Sequence, residues 1–150
     1  MPLLDDKVRK QVQDALAKVE HPVKMVMFTQ GEGGALECEY CSETRELVEE
    51  VSQQSEKLSL EVLDFQGDEA RAREYGVDKI PAVVVLANGD GQPRHHGIRL
   101  YGIPAGYEFS ALIEDLRMVG TADAKVSEAT RQALAGLQTP VHLQVFVTPT

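Results

Sequence analysis

Apolar residues along this chain switch repeatedly between a helical and an extended period, and that alternation constrains the fold more than any other feature. Val8, Val12, Ala15, Leu16 and Val19 form the stripe of an amphipathic helix across residues 5–20, with Asp5 and Asp6 suited to its start. His21-Pro22 ends it, and Val23 to Phe28 reads as a short buried strand. Leu47, Val48 and Val51 mark a second helix over residues 41–54, and Leu58, Leu60 and Val62 alternate as a half-buried strand. A short helix over 68–75 stops at Gly76. Ala82 to Leu86 forms a β-branched strand, Asn88-Gly89-Asp90-Gly91 a tight turn, and His95 to Tyr101 the returning strand. Phe109, Leu112, Ile113 and Leu116 then line a helix from Tyr107 to Val119. Such an order predicts an α/β protein with a central mixed sheet flanked by helices.

Within that pattern lie the chain's two cysteines, in Cys38-Glu39-Tyr40-Cys41, after the first strand and at the start of a helix. So short a loop makes a poor structural staple, because the entropy removed from the unfolded chain grows with loop length. Two thiols at a helix start instead suit disulfide exchange: one thiolate attacks sulfur and the second resolves the mixed disulfide. Cys38 reads as the nucleophile, favoured as thiolate by the helix N-terminus, and Cys41 as the resolving thiol. Glu37 and Glu39 place like charge beside Cys38 and are expected to raise its pKa, making the disulfide more reducing. Tyr40 reads as a surface contact covering the sulfurs, or equally as a packing residue.

Ile80-Pro81 directly precedes the Ala82 strand, where a residue without an N–H fits the strand's first position. A Cys-x-x-Cys in this setting is the signature of a thioredoxin-like redox site. In such a fold this proline is cis, faces the cysteines and exposes the preceding residue's backbone to an incoming peptide, the alternative being an ordinary trans proline at a loop-to-strand junction. Ile80, Pro81 and Tyr40 are therefore the candidate substrate-binding residues.

Other chemistries fit poorly. One Cys-x-x-Cys without a second ligand pair is not a zinc site, and neighbouring His95 and His96 on a strand point to opposite faces. Gly31 to Gly34 lacks the Lys-Ser/Thr of a phosphate loop, and Glu43 to Glu50 reads as a solvated helix face. No flavin or nicotinamide motif is present, so no cofactor is expected. A net charge of −9 over 150 residues disfavours nucleic acid and anionic membrane as partners. No apolar run approaches the ~18 residues of a membrane span. The N-terminus has no basic leader or apolar h-region, so a cytoplasmic location is expected.

The C-terminal residues echo the N-terminal ones at a constant offset. Lys7-Val8 matches Lys125-Val126, Ala15-Leu16-Ala17 matches Ala133-Leu134-Ala135, Pro22-Val23 matches Pro140-Val141, and Phe28 matches Phe146. The expected organisation is a redox domain over 1–120, followed over 121–150 by the opening helix and strand of a second such unit. Those elements cannot bury their own apolar faces, so residues 126–147 are expected to dock on the first unit, to pair with another chain, or to stay partly disordered.

Cys38-Glu39-Tyr40-Cys41, Ile80-Pro81 and the stretch Arg99-Leu100-Tyr101-Gly102-Ile103-Pro104-Ala105-Gly106-Tyr107-Glu108-Phe109 together resemble the glutaredoxin-like protein disulfide oxidoreductases of archaea and bacteria. That family joins two thioredoxin folds in one chain, and the N-terminal domain of the alkyl hydroperoxide reductase flavoprotein is similar in build. The resemblance implies a thioredoxin-like fold and thiol–disulfide exchange with protein substrates. It also implies electrons from a thioredoxin-reductase-like donor, and Val141 to Val147 as the first strand of the second unit. The second unit's Cys-x-x-Cys, expected right after Thr150, is not in these residues. In the family the C-terminal site often carries most of the activity, while the N-terminal one relays electrons or serves a separate task. A relay or docking module with little activity of its own is thus the alternative, and a metal-binding protein a weaker one.

Overall fold

The Asp5 carboxylate starts the first helix by accepting from the Val8 amide at 2.8 Å, so one of the amides left free at a helix start is satisfied. A computed structural model describes residues 2–148 of the chain. Helix α1 (Asp6–Leu16) buries Val12 and Leu16 but ends four residues short of the expected Glu20. The chain turns there because the Glu20 and His21 amides donate to the Gly120 carbonyl at 3.2 and 3.0 Å, which still leaves Val19 buried. Gly120 permits this approach, since any side chain there would run into Val19.

Four strands follow: β1 (Val23–Thr29), β2 (Leu58–Asp64), β3 (Ala82–Ala87) and β4 (Arg94–Tyr101), in the spatial order β2-β1-β3-β4. β1 runs parallel to β2 and antiparallel to β3, and β3 is antiparallel to β4. The sheet is therefore mixed. The central strands β1 and β3 are buried along almost their whole length, as their near-continuous apolar sequences require.

Alternate side chains of these strands feed two cores. Val23, Met25, Met27, Val83 and Val85 pack with α1, with Leu47, Val48 and Val51 of α2 (Cys41–Ser52), and with Leu112 and Leu116 of α4 (Tyr107–Thr121). Val26, Phe28, Val84 and Leu86 pack with Ala72 of α3 (Glu69–Glu74) and with Tyr75 and Val77 just after it. This is the thioredoxin-like arrangement expected from the sequence.

One group works against the fold at neutral pH. Asp115 lies half-buried on α4, and burial, reinforced by the neighbouring Glu114 charge, pushes its carboxyl up to about 6. The native state thus holds a proton that the unfolded chain releases nearer 3.8, so stability falls as pH rises between those values. Asp115→Asn is expected to remove that decline. It should stabilise the protein above pH 7 by ~1–2 kcal/mol, allowing for the solvent that still reaches the group. Urea unfolding of both proteins at several pH values checks this, and an unchanged difference between pH 4 and 7.5 would refute it.

The C-terminal segment departs from expectation. Helix α5 (Glu128–Ala135) forms, with the Ser127 hydroxyl oxygen accepting from the Thr130 amide at 3.1 Å, but it buries no residue. The strand expected at Val141 to Val147 is absent: these residues adopt no regular structure, and Leu143, Val145 and Phe146 are 83–90% exposed. A strand exists only by pairing its N–H and C=O groups with a neighbour, and no strand of this sheet takes the segment.

Candidate redox site

Thr29 ends β1, and residues 30–40 carry the chain out of the sheet and back to the start of α2. Cys38 sits half-buried in the last part of this loop, and Cys41, the first residue of α2, is 3% exposed. The two are joined as a disulfide with a Cα–Cα distance of 5.5 Å. The turn at Glu39-Tyr40 leading into α2 explains the pairing, because a four-residue turn brings its first and last Cα atoms to within ~7 Å.

Tyr40 occupies the N-cap position without a side-chain cap bond, and its carbonyl accepts the first helical bond from the Thr44 amide at 2.9 Å. The amides of Cys41, Ser42 and Glu43 precede that bond and have no helical acceptor. Their partial positive charge, added to the helix dipole, favours a thiolate at the redox pair.

Glu37 and Glu39 were expected to tune the pair. Both are exposed, so their charges reach Cys38 through water and are screened by salt. The Tyr40 side chain is 44% exposed and available for surface contact.

The Ile80–Pro81 bond is cis. Antiparallel pairing of β1 with β3 places Phe28 opposite Ala82, so Pro81 lies at the end of the sheet where β1 hands over to the cysteine loop. Tyr101 is opposite Ala82 on the other side, which brings Gly102 to the same end. There the Gly102 amide donates to the Pro81 carbonyl at 2.9 Å, with Gly102 at φ +80°, a conformation natural to glycine. Pro81 is buried and Ile80 half-buried against the α3-side core. Residues 38–41 and 80–81 are some forty apart in sequence, and the sheet collects both at one end.

Two neighbours of this end were not singled out in the sequence. The Lys79 ammonium stands 4.1 Å from the centre of the Tyr101 ring, whose hydroxyl donates to the Gly76 carbonyl at 3.2 Å. Thr44 is fully buried one turn after Cys41. The only sequence signal for Thr44 was its spacing of three from a cysteine.

His95 is half-buried with its ring edge-on to Tyr75 at 5.5 Å, and burial lowers its pKa, while His96 is exposed. The adjacent pair does not converge. Among the described residues no group of three or more His, Cys, Asp or Glu is placed to hold a metal ion, and no helix is long and apolar enough to cross a membrane.

Comparisons with known proteins agree with this geometry. A protein disulfide oxidoreductase from Aeropyrum pernix K1 is 26% identical with a TM-score of 0.74, over 90% of this chain and 56% of that one. An alkylhydroperoxide reductase from Enterococcus faecalis is 24% identical with a TM-score of 0.77, over 89% of this chain and 61% of that one. The N-terminal domain of that same reductase gives 24% and 0.75, over 86% of this chain and 58% of that one. At these identities the two reductase structures speak for the fold alone. The chain thus spans less than two thirds of the length of these relatives, and no curated protein matches it. The thioredoxin domain model matches residues 35–113, over half of the chain and including both Cys38–Cys41 and Ile80–Pro81, and the protein belongs to the thioredoxin-domain family.

Proposed function

We propose that this protein is a thiol–disulfide oxidoreductase acting on protein disulfides through Cys38 and Cys41. The observation that carries the reading is the paired cysteines at an uncapped helix start, one reachable and one buried. In the dithiol form the Cys38 thiolate attacks a substrate disulfide. A Cys38–substrate bond forms, and one substrate thiolate leaves and takes a proton from water. Cys41 then gives up its proton, attacks the Cys38 sulfur and releases the second substrate thiol. The substrate gains two electrons, and the protein is left as the disulfide seen here.

Pro81, with Ile80 before it and Tyr40 across the cysteine loop, forms the rim against which an extended substrate lies. Glu37 and Glu39 bias the centre toward the reducing side. A thioredoxin-reductase-like partner is the proposed electron donor, and the reducing cytoplasm the proposed setting. The likeness to a protein disulfide oxidoreductase supports this assignment, and reductase or isomerase work is the finer form of it.

A second reading draws on the C-terminal segment. Its unburied helix and exposed apolar residues, echoing α1 and β1, support residues 121–150 as the opening of a second thioredoxin-like unit. On that reading the chain is a relay or docking module. The apolar side chains over 126–147 then meet the remainder of such a unit or a second copy of this chain.

Insulin reduction separates the two. With dithiothreitol as donor, the wild-type chain is expected to accelerate insulin precipitation at least tenfold over dithiothreitol alone. A rate equal to the blank would overturn the oxidoreductase reading in favour of the docking one.

A further inference from the structure

We propose that Thr44 is a positioning residue for the redox pair: its hydroxyl donates a hydrogen bond to the Cys41 sulfur when the disulfide opens, and so favours the dithiol state. The proposal rests on the exchange chemistry assigned to this pair.

Thr44 is fully buried, and its Oγ1 has no hydrogen-bond partner among the described residues. A threonine inside a helix ordinarily bonds back to a carbonyl three or four residues earlier. Thr44 does not: the Tyr40 carbonyl takes only the Thr44 amide. A buried hydroxyl left without a partner is uncommon in a native protein and calls for a reason. Asn88 and His95 also carry such atoms, but they belong to the β3–β4 hairpin, away from the cysteines.

The reason lies one turn back. Helical side chains lean toward the N-terminus, so Thr44 lies over the turn that begins with Cys41, with about 5–6 Å between the two Cβ atoms. Both residues are buried on the same helix face. In the oxidised state the Cys41 sulfur is tied to Cys38 and is a poor acceptor. A dithiol donor changes that. Its thiolate attacks the Cys38 sulfur, the Cys38–Cys41 bond breaks, and Cys41 leaves as a thiolate carrying the charge. The Thr44 O–H then has an anionic acceptor one turn back on the same buried face, and a bond to an ionised acceptor is of the stronger class. Thr44 keeps its own proton throughout. Cys41 takes one from solvent, and the donor's second thiol displaces Cys38 to complete the two-electron transfer, leaving the donor as its disulfide. One hydroxyl thus stands unsatisfied in the disulfide and bonds the freed Cys41 sulfur, first as thiolate and then as thiol, once the bond opens, and that difference favours the dithiol.

The test is the dithiol–disulfide equilibrium of the full chain in dithiothreitol redox buffers, read by alkylation and mass measurement. Thr44→Val and Thr44→Ala are expected to shift it about tenfold toward the disulfide, a potential about 30 mV more negative. Thr44→Ser should stay within twofold of wild type. A merely structural role would lower the stability of both redox states together and leave the equilibrium in place. If Val packs badly, the Ser and Ala variants still differ by the hydroxyl alone. Equal equilibria for Ser and Ala, or a shift toward the dithiol, would overturn the proposal. Because this equilibrium does not depend on turnover, a chain inactive on insulin but shifted by Thr44→Ala keeps the proposal and loses the exchange function. An active chain with no shift does the reverse.

Discussion

Cys38→Ser is expected to abolish reduction of protein disulfides, a loss of about a thousandfold or more, while Cys41→Ser leaves the first attack intact and stalls the second. The asymmetry follows from burial. Cys38 sits half-buried in a loop that a substrate can approach, whereas Cys41, in the first turn of α2, is 3% exposed. On the proposed mechanism Cys38 meets the external disulfide, and Cys41 then meets the bond that Cys38 has formed. A Cys41→Ser chain should therefore accumulate mixed disulfides through Cys38, visible on non-reducing gels and released by dithiothreitol. The same geometry makes Cys38 the first thiol alkylated in the reduced wild-type chain. Faster labelling of Cys41, or equal trapping by both serine variants, would reverse the assigned roles.

The largest effect on stability is expected at Phe28. Its ring is wholly buried on the central strand β1, among Val26, Val84 and Leu86, and meets the Tyr75 ring edge-on at 6.3 Å between centroids. Removing it forfeits the transfer of a large apolar group and leaves a cavity that close-packed neighbours on a two-sided sheet cannot fill. Phe28→Ala should cost about 3–5 kcal/mol, with the aromatic pair contributing a further ~1 kcal/mol. Tm should fall by about 10 °C or more. Because Phe28 is paired with Ala82, next to Pro81, the loss should also blunt exchange activity at temperatures where the chain is still folded. Urea unfolding with a midpoint shift worth under 1 kcal/mol would show that this side of the sheet repacks freely.

Much of the architecture was legible because its signals are local. The α1 cap at Asp5, the unbroken apolar runs of β1 and β3, and the proline at the head of β3 each act within a few residues. Their bounds in the structure differ little from those read off the chain. The misses came where distant groups intervene. Helix α1 stops early because Gly120, a hundred residues on, offers the Glu20 and His21 amides an acceptor. Val141 to Val147 has the composition of a strand, yet composition supplies no neighbour to pair with.

The redox centre divides along the same line. Spacing and helix-start chemistry alone pointed to a pairing of Cys38 with Cys41, and the disulfide has that pairing. Tertiary structure decided that Cys38 is half-buried and Cys41 almost wholly so, that Pro81 shares the cysteines' end of the sheet, and that Thr44 is fully buried one turn after Cys41. Periodicity and capping depend on residues three or four apart, which any sequence displays. Strand order, register and burial depend on how the whole chain covers its apolar surface, and only the folded molecule contains that information.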